Sequence, residues 1–331
     1  MPKVSVIIPV YGVEQYIERC ARSLFEQTLD DIEYIFIDDC TPDNSVVKLQ
    51  KILSFYPHRD KQVHILRHEK NLGLPYARQT GVKVANGEYV AHCDSDDWVD
   101  IHMYEEMYKK AKEKNADVVL CDYYESDGVS KKLMNDFLPN KVEDTMSSTL
   151  LKKTRSVLWN KLVRRSIYKN NIMYPVANNA EDYTLLVQIV YYSKSFVYLN
   201  KPLYFYYYNT NSLTRLKTKE NIINIFNQSM LNIRIVENFL NENKSLSKYS
   251  DELDCIKVIE KELLISYSFD KTLYKVWNEA YKEIFPRILF NNKITLRRKL
   301  RFLSIKYRMY PIIRFMLNQK ISNSSLKIRQ A

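Results

Sequence analysis

The apolar residues in the first part of the chain gather into short runs at regular intervals. Val4–Pro9, Glu33–Ile37, Val63–Arg67, Tyr89–Cys93 and Asp117–Cys121 are each five or six residues long. Runs of this length read as strands; Val4–Pro9, β-branched and little alternating, reads as buried on both faces, and Glu33–Ile37 and Tyr89–Cys93 as buried. Between them, apolar positions recur at helical spacing. Gln15–Glu26 carries Tyr16, Ile17, Cys20 and Leu24 on one face, and further helices are predicted from the Thr41–Ser45 turn to about Phe55, from Pro75 to about Ala85, and over Ile101–Lys114. Strands starting near 4, 33, 63, 88 and 117 with helices between them predict an α/β fold: a mostly parallel sheet with helices on both faces.

The pattern then changes. Residues 123–150 are polar and aperiodic, which predicts an insertion or crossover. Leu158–Tyr168 and Asn179–Tyr192 read as helices, and Phe196–Leu199 and Leu203–Tyr208 as short strands around Pro202. From about Lys219 to Phe285 the pattern is helical. All five glycines (12, 73, 81, 87 and 128) lie before residue 129, so tight loops belong to the first part.

Charge separates the chain further. Its 50 basic and 39 acidic residues give a net +11, yet no acidic residue follows Glu283, where twelve Lys and Arg lie. The basic balance therefore belongs to a tail and not to the main body. No nucleic-acid motif accompanies it, so a nucleic-acid partner is not expected. The five cysteines form no CxxC pair and no zinc spacing, and the five histidines have no ligand spacing. Reduced thiols and a cytoplasmic location are expected. The apolar start is too short for a signal segment, and no run is long enough to span a bilayer.

Candidate chemistry begins where Tyr89–Cys93 runs into Asp94, Asp96 and Asp97. Carboxylates crowded at one point repel each other, and a divalent cation is the usual reason for them. On an extended chain Asp94 and Asp96 face one side. Oxygen ligands of this kind suit Mn²⁺ or Mg²⁺ completed by phosphate oxygens. The alternative is a solvated acidic turn capping the next helix. In a parallel sheet, ligands bind at the carboxyl ends of the strands. Pro9-Val10-Tyr11, Asp38-Asp39, His68–Asn71 and Asp94–Asp97 would converge on that edge.

Seven segments, in order, resemble the family 2 glycosyltransferases: VSVIIPVY, IDDCTPDNS, NLGLPYARQTG, GEYVAHCDSDDW, WNKL (159–162), EDYTLL (181–186) and PLYFYYYNTNSLT (202–214). The resemblance covers about residues 2–215. It implies a GT-A fold, a UDP-sugar donor, a divalent cation and inversion at the sugar carbon. By the same resemblance Pro9, Val10 and Tyr11 would line the uracil, with Glu14 near the ribose. Asp39 would accept from the uracil N3–H. Asp94 and Asp96 would be the DxD pair, Asp96 on the metal and Asp94 on the ribose or the metal shell. Asn71, Arg78 and Ser95 fall with the donor, Arg78 touching either donor or structure. Asp182 would be the catalytic base; otherwise it is a first-turn acid favoured by the helix dipole. Trp98, Trp159 and Glu181 fall on the acceptor side, and the Tyr204–Tyr208 run reads as core or as a sugar platform.

This implies a catalytic region over 1–215, with a nucleotide-sugar half of about 1–122 and an acceptor half of about 123–215. A helical region over 216–331 follows, with a basic amphipathic tail over 287–329. The expected reaction moves a sugar to a glycan or lipid-linked oligosaccharide, in capsule, exopolysaccharide or lipopolysaccharide synthesis. The tail either binds an anionic membrane at its inner face or docks on the protein with a solvated basic face. The rivals are a GT-A-like nucleotidyltransferase, which would want a lysine-rich glycine loop, and a catalytically silent membrane- or glycan-binding module. The chain departs from the family at Cys40 (commonly Gly), at Pro75 (commonly Ser) and at Ile101-His102 (commonly Pro). The family's arginine in the tyrosine segment is replaced by Asn209 or Thr210, for which Arg215 could substitute.

Overall fold

A computed structural model describes residues 1–208, 218–265 and 270–309. The chain divides into two compact units, one of residues 1–212 with 231–239, the other of residues 213–230 with 240–331.

The first unit is built on one sheet. Its strands are β1 (Val4–Val10), β2 (Ile32–Asp38), β3 (Val63–Arg67), β4 (Tyr89–His92), β5 (Trp98–Val99), β6 (Val118–Ser126), β7 (Lys131–Met134), β8 (Lys161–Arg164) and β9 (Phe196–Tyr207). The spatial order is β3-β2-β1-β4-β8-β6-β9-β5, with β7 on β6. β3, β2, β1 and β4 are parallel, as the buried apolar runs predict. Register pairs Val10 with Asp38 and Asp38 with Arg67, so the carboxyl ends of these strands share one edge.

Helices α1 (Ile17–Phe25), α2 (Ser45–Leu53), α3 (Leu74–Val84) and α4 (Met103–Lys114) follow β1, β2, β3 and β5. α1 sets Ile17, Cys20, Ala21, Leu24 and Phe25 in the core. α3 comes so near β1 that a Cβ on Gly81 would stand 2.4 Å from the Ile7 side chain. A larger residue there would push helix from sheet.

Three expectations change beyond residue 122. Residues 123–150 hold a β6–β7 hairpin, with Tyr123 opposite Met134, followed by α5 (Glu143–Leu150). Leu158–Tyr168 is not a helix. Its middle is β8, antiparallel to both β4 and β6, followed by a short 3₁₀ turn. The helical spacing there is incidental, because Leu158–Val163 are all buried and the sheet requires a strand in that gap. The two short strands around Pro202 are one strand, β9, with a register shift opposite Cys121–Tyr123. α6 (Glu181–Tyr192) forms as expected.

α7 (Lys219–Glu242) runs through both units. The second unit adds α8 (Ser250–Leu263), α9 (Lys271–Glu279) and α10 (Leu296–Lys306). Trp277, Phe285 and Phe302 surround the Lys261 ammonium at 4.4, 4.7 and 5.4 Å, and that ammonium donates to the Ala280 carbonyl. No described helix is long and apolar enough to cross a membrane. Residues 209–217, with Asn209, Thr210 and Arg215, and residues 310–331, with Pro311 and the end of the tail, lie outside the described residues.

Candidate active site

Asp39 follows directly on β2. Its Oδ1 accepts from the Leu72 backbone N–H at 2.8 Å and lies 2.7 Å from His68 Nδ1, and its Oδ2 accepts from Gly73 N–H at 2.7 Å. A carboxylate offers about four lone-pair sites, so one on Oδ2 remains for a ligand. Gly73 adopts φ 94°, open to glycine and strained for other residues, and a Cβ there would meet Asn178 Oδ1 at 2.7 Å. Cys40, next to Asp39, also has a left-handed φ of 57°, which accounts for glycine being common at that position.

Asp94, Asp96 and Asp97 lie on a turn, not on extended chain; the Asp97 N–H donates to the Asp94 carbonyl at 3.0 Å. Exposure nevertheless alternates, with Asp94 and Asp96 half-buried and Ser95 and Asp97 buried. Asp97 is bound inward, accepting from the Tyr204 hydroxyl and the Tyr207 N–H at 2.6 Å each. Burial, with Asp94 beside it, pushes the Asp96 carboxyl up to about 6. Burial also raises Asp94, against the pull of Arg78 and with the push of Asp182. Arg78 beside Asp94 and Arg19 near Asp96 only partly offset these two carboxylates, and a divalent cation would supply the remaining counter-charge. Among the described residues no group of three or more such side chains is placed to hold a metal alone, so ligand oxygens would have to complete the shell.

Arg78, on α3, ties the site together. Its side chain is 1% exposed. Nη2 contacts Asp94 Oδ1 at 2.9 Å and Asp182 Oδ1 at 3.3 Å, while Nε donates to Glu181 Oε1 at 2.9 Å. Burial works against its charge, but Glu181, Asp182 and Asp94 outweigh burial and raise it well above its ordinary value. Glu181 is fully buried, and burial pushes it well above the usual carboxylate range despite Arg78. Asp94 and Asp182 contact one nitrogen, so their oxygens cannot be farther apart than those two contacts laid end to end. Among the described residues Arg78 Nη1 and Glu181 Oε2 have no hydrogen-bond partner, and Asp182 Oδ1 has only its ion contact with Arg78.

Other expected residues are placed differently. Val10 is fully buried in the core and presents no side-chain surface, whereas Tyr11 is half exposed. Ser95 is turned inward. Glu14 is held at the start of α2, accepting from Asn44 N–H at 3.3 Å and paired with Lys48 at 3.3 Å. Trp159 is buried between Tyr204 and Tyr206 at 4.3 and 5.8 Å, so it cannot carry a sugar. Trp98, half-buried, stacks on Phe205 at 5.2 Å and lies under the Arg19 guanidinium at 3.8 Å. Glu181 reaches Arg78, not an outer surface. Tyr204 settles as core. Asn71 is exposed on the loop before α3. Of two further contributors, Arg19 carried no signal in the sequence and His68 was legible only as part of a strand end. Arg19 donates to the Asp96 carbonyl at 2.9 Å, and His68 bridges Asp39 and Thr80.

Residues 5–174 match the family described as Glycosyl transferase family 2. EpsH of Bacillus subtilis is 30% identical over 271 residues, which span 79% of this chain and 76% of EpsH. A cholesterol galactosyltransferase of Borreliella burgdorferi is 30% identical over 309 residues, 85% of this chain and 80% of that protein. Residues 1–349 of S. aureus TarS in complex with UDP-GlcNAc superpose with a TM-score of 0.59 at 18% identity, covering 93% of this chain and 92% of that one. That likeness extends to the fold.

Proposed function

This chain belongs to glycosyl transferase family 2, and from that premise we propose that it is an inverting enzyme. It moves a sugar from a UDP-sugar to a hydroxyl of a glycan or lipid-linked acceptor in bacterial surface-polysaccharide synthesis. The observation that carries the reading is Arg78, whose one nitrogen contacts both Asp94 and Asp182. It sets the two carboxylates of a displacement reaction at one point, one for the leaving group and one for the nucleophile. An acceptor on a lipid is supported by the relative named for galactose transfer to a sterol.

Asp96 and Asp94 would hold Mn²⁺ or Mg²⁺, which would supply positive charge against that developing on the diphosphate leaving group. Asp39 accepts from the base through its remaining lone pair, and His68 keeps it oriented. The acceptor hydroxyl is a weak nucleophile, so Asp182 removes its proton as the new bond forms. Arg78 Nη2, 3.3 Å from Asp182 Oδ1, holds that carboxylate in position. Arg78 and Glu181 act as positioning residues. The shared edge of β1, β2 and β4 supports a nucleotide site at the strand ends. The family assignment sets aside a nucleotidyltransferase, and the complete set of Asp39, Asp94, Asp96 and Asp182 argues against a silent module.

The test is calorimetric binding and transfer with UDP-sugars in Mn²⁺. Asp182→Asn should lower transfer by about 10²- to 10⁴-fold while donor binding persists. Asp96→Asn should remove metal-dependent donor binding. Absence of UDP binding in the wild type, or loss of donor binding in Asp182→Asn, would sink the assignment.

A further inference from the structure

Helix α10 has two apolar faces, and they look in opposite directions. Phe302 and Ile305 are buried, with Phe302 against Trp277 and Phe285 at 4.8 and 5.0 Å. Arg298 and Arg301 lie on that side too, reaching Glu262 at 3.5 and 3.9 Å. Leu296, Leu300, Leu303 and Tyr307 recur at steps of four, three and four residues, which aligns them as one stripe on the other side. Leu296 is 71% exposed, Leu300 51% and Tyr307 66%, with Leu303 half-buried. Phe290, in the segment leading into the helix, is 83% exposed. On the helical wheel Arg297 and Arg308 border one side of the stripe, and Lys299 and Lys306 the other.

We propose that this stripe, together with Phe290, docks on the surface of an anionic lipid bilayer. The leucines and aromatic rings sit at the depth of the acyl–headgroup boundary. Arg297, exposed at the border, reaches lipid phosphates, and Lys299, Lys306 and Arg308, which rest on the Leu289 carbonyl, the Phe285 ring and the Tyr274 ring, leave those contacts to do the same while their stems cover apolar surface. Charge selects this occupant. A two-fold pair of copies would set the four border cations of one chain against those of the other. Residues 310–331 carry four basic and no acidic residues, so covering the stripe with them would also bring like charges together. The surface concerns the second unit alone, and vesicle binding requires neither donor nor base. Its failure is therefore separable from failure of the transferase reading.

The experiment is co-sedimentation of the full chain with phosphatidylcholine vesicles, with and without phosphatidylglycerol. The wild type should sediment with the anionic vesicles at low salt and be released by high salt. Leu296→Ser combined with Leu300→Ser should weaken partitioning by about tenfold or more, with the thermal midpoint and transfer to a water-soluble acceptor unchanged. Arg297→Gln with Lys299→Gln should weaken it by about tenfold or more, and the remaining binding should depend less on salt. Wild type left in the supernatant with anionic vesicles overturns the proposal, as does equal sedimentation of the serine variant. A concentration-dependent dimer abolished by the serine pair, without vesicle binding, would assign the stripe to a second copy and overturn it as well.

Discussion

Of the cations buried in the first unit, Arg78 and Lys161 each lie within a motif of the family, and their surroundings differ. Lys161 has a side chain 2% exposed. Its ammonium contacts Asp136 at 3.3 Å, the Arg155 carbonyl at 3.0 Å and Asn160 Oδ1 at 2.8 Å, which uses its three donors. Asp136 accepts in turn from Asn160, Phe137 and Arg155. The network is closed. Arg78 is as deeply buried, but among the described residues Nη1 and one oxygen of Glu181 lack hydrogen bonds, and one oxygen of Asp182 has only its ion contact with Arg78. Buried polar groups are nearly always satisfied, and an exception calls for a reason. A closed network fixes the fold around it, whereas an open one keeps unused bonding capacity for a ligand.

The largest effect should come from opening the closed network. Lys161→Met would leave Asp136 buried without a counter-charge and cost about 3–5 kcal/mol in denaturant unfolding. UDP with Mn²⁺ should raise the midpoint of this variant no more than that of the wild type. Arg78→Gln should cost less, about 1–3 kcal/mol, because Asp94 and Asp182 keep contact with solvent and the Gln amide can still donate to the buried Glu181. Here UDP with Mn²⁺ should raise the midpoint by more than in the wild type, the metal replacing the lost positive charge. If both variants respond alike to the ligand, the distinction between closed and open networks fails. A third substitution sharpens it. Lys161→Met with Asp136→Leu removes both charges, and its stability should return to within about 1 kcal/mol of wild type. A double variant as unstable as the single one would show that the ion pair is not what Lys161 contributes. The smallest effect is expected at the turn beside Asp39. Cys40→Gly relieves a left-handed residue and should stabilise by about 1 kcal/mol, read from the shift in thermal midpoint.

Much of the sheet was legible in the sequence because four of its strands are apolar on both faces, and such runs stand out. β8 was not, since its Lys161 reads as a surface residue until Asp136 is found 25 positions away. Asp94 and Asp96 were legible as a pair, although a turn and not a strand sets their direction. Arg78 was legible as a residue but not as a bridge, because Glu181 lies 103 positions along the chain. Trp159 misled because a tryptophan in a polar motif suggests a platform, and only packing shows that it is buried. In α10 the period marked a helix. With apolar residues on two sides, it could not tell which side faces inward.

One detail of the sheet bears on how the protein is made. β8 is the wedge between β4 and β6, so the hydrogen-bonding edges of those two strands meet only through Lys161–Arg164. On a ribosome, residues 1–122 emerge first with those edges bare, and open edges invite pairing with other chains. The sheet closes only when the later segment arrives and is drawn into the middle, not added at a margin. A gene fragment ending at residue 122 should therefore yield insoluble product. Residues 1–122 depend on the segment that follows because the two are stitched through a strand of four residues.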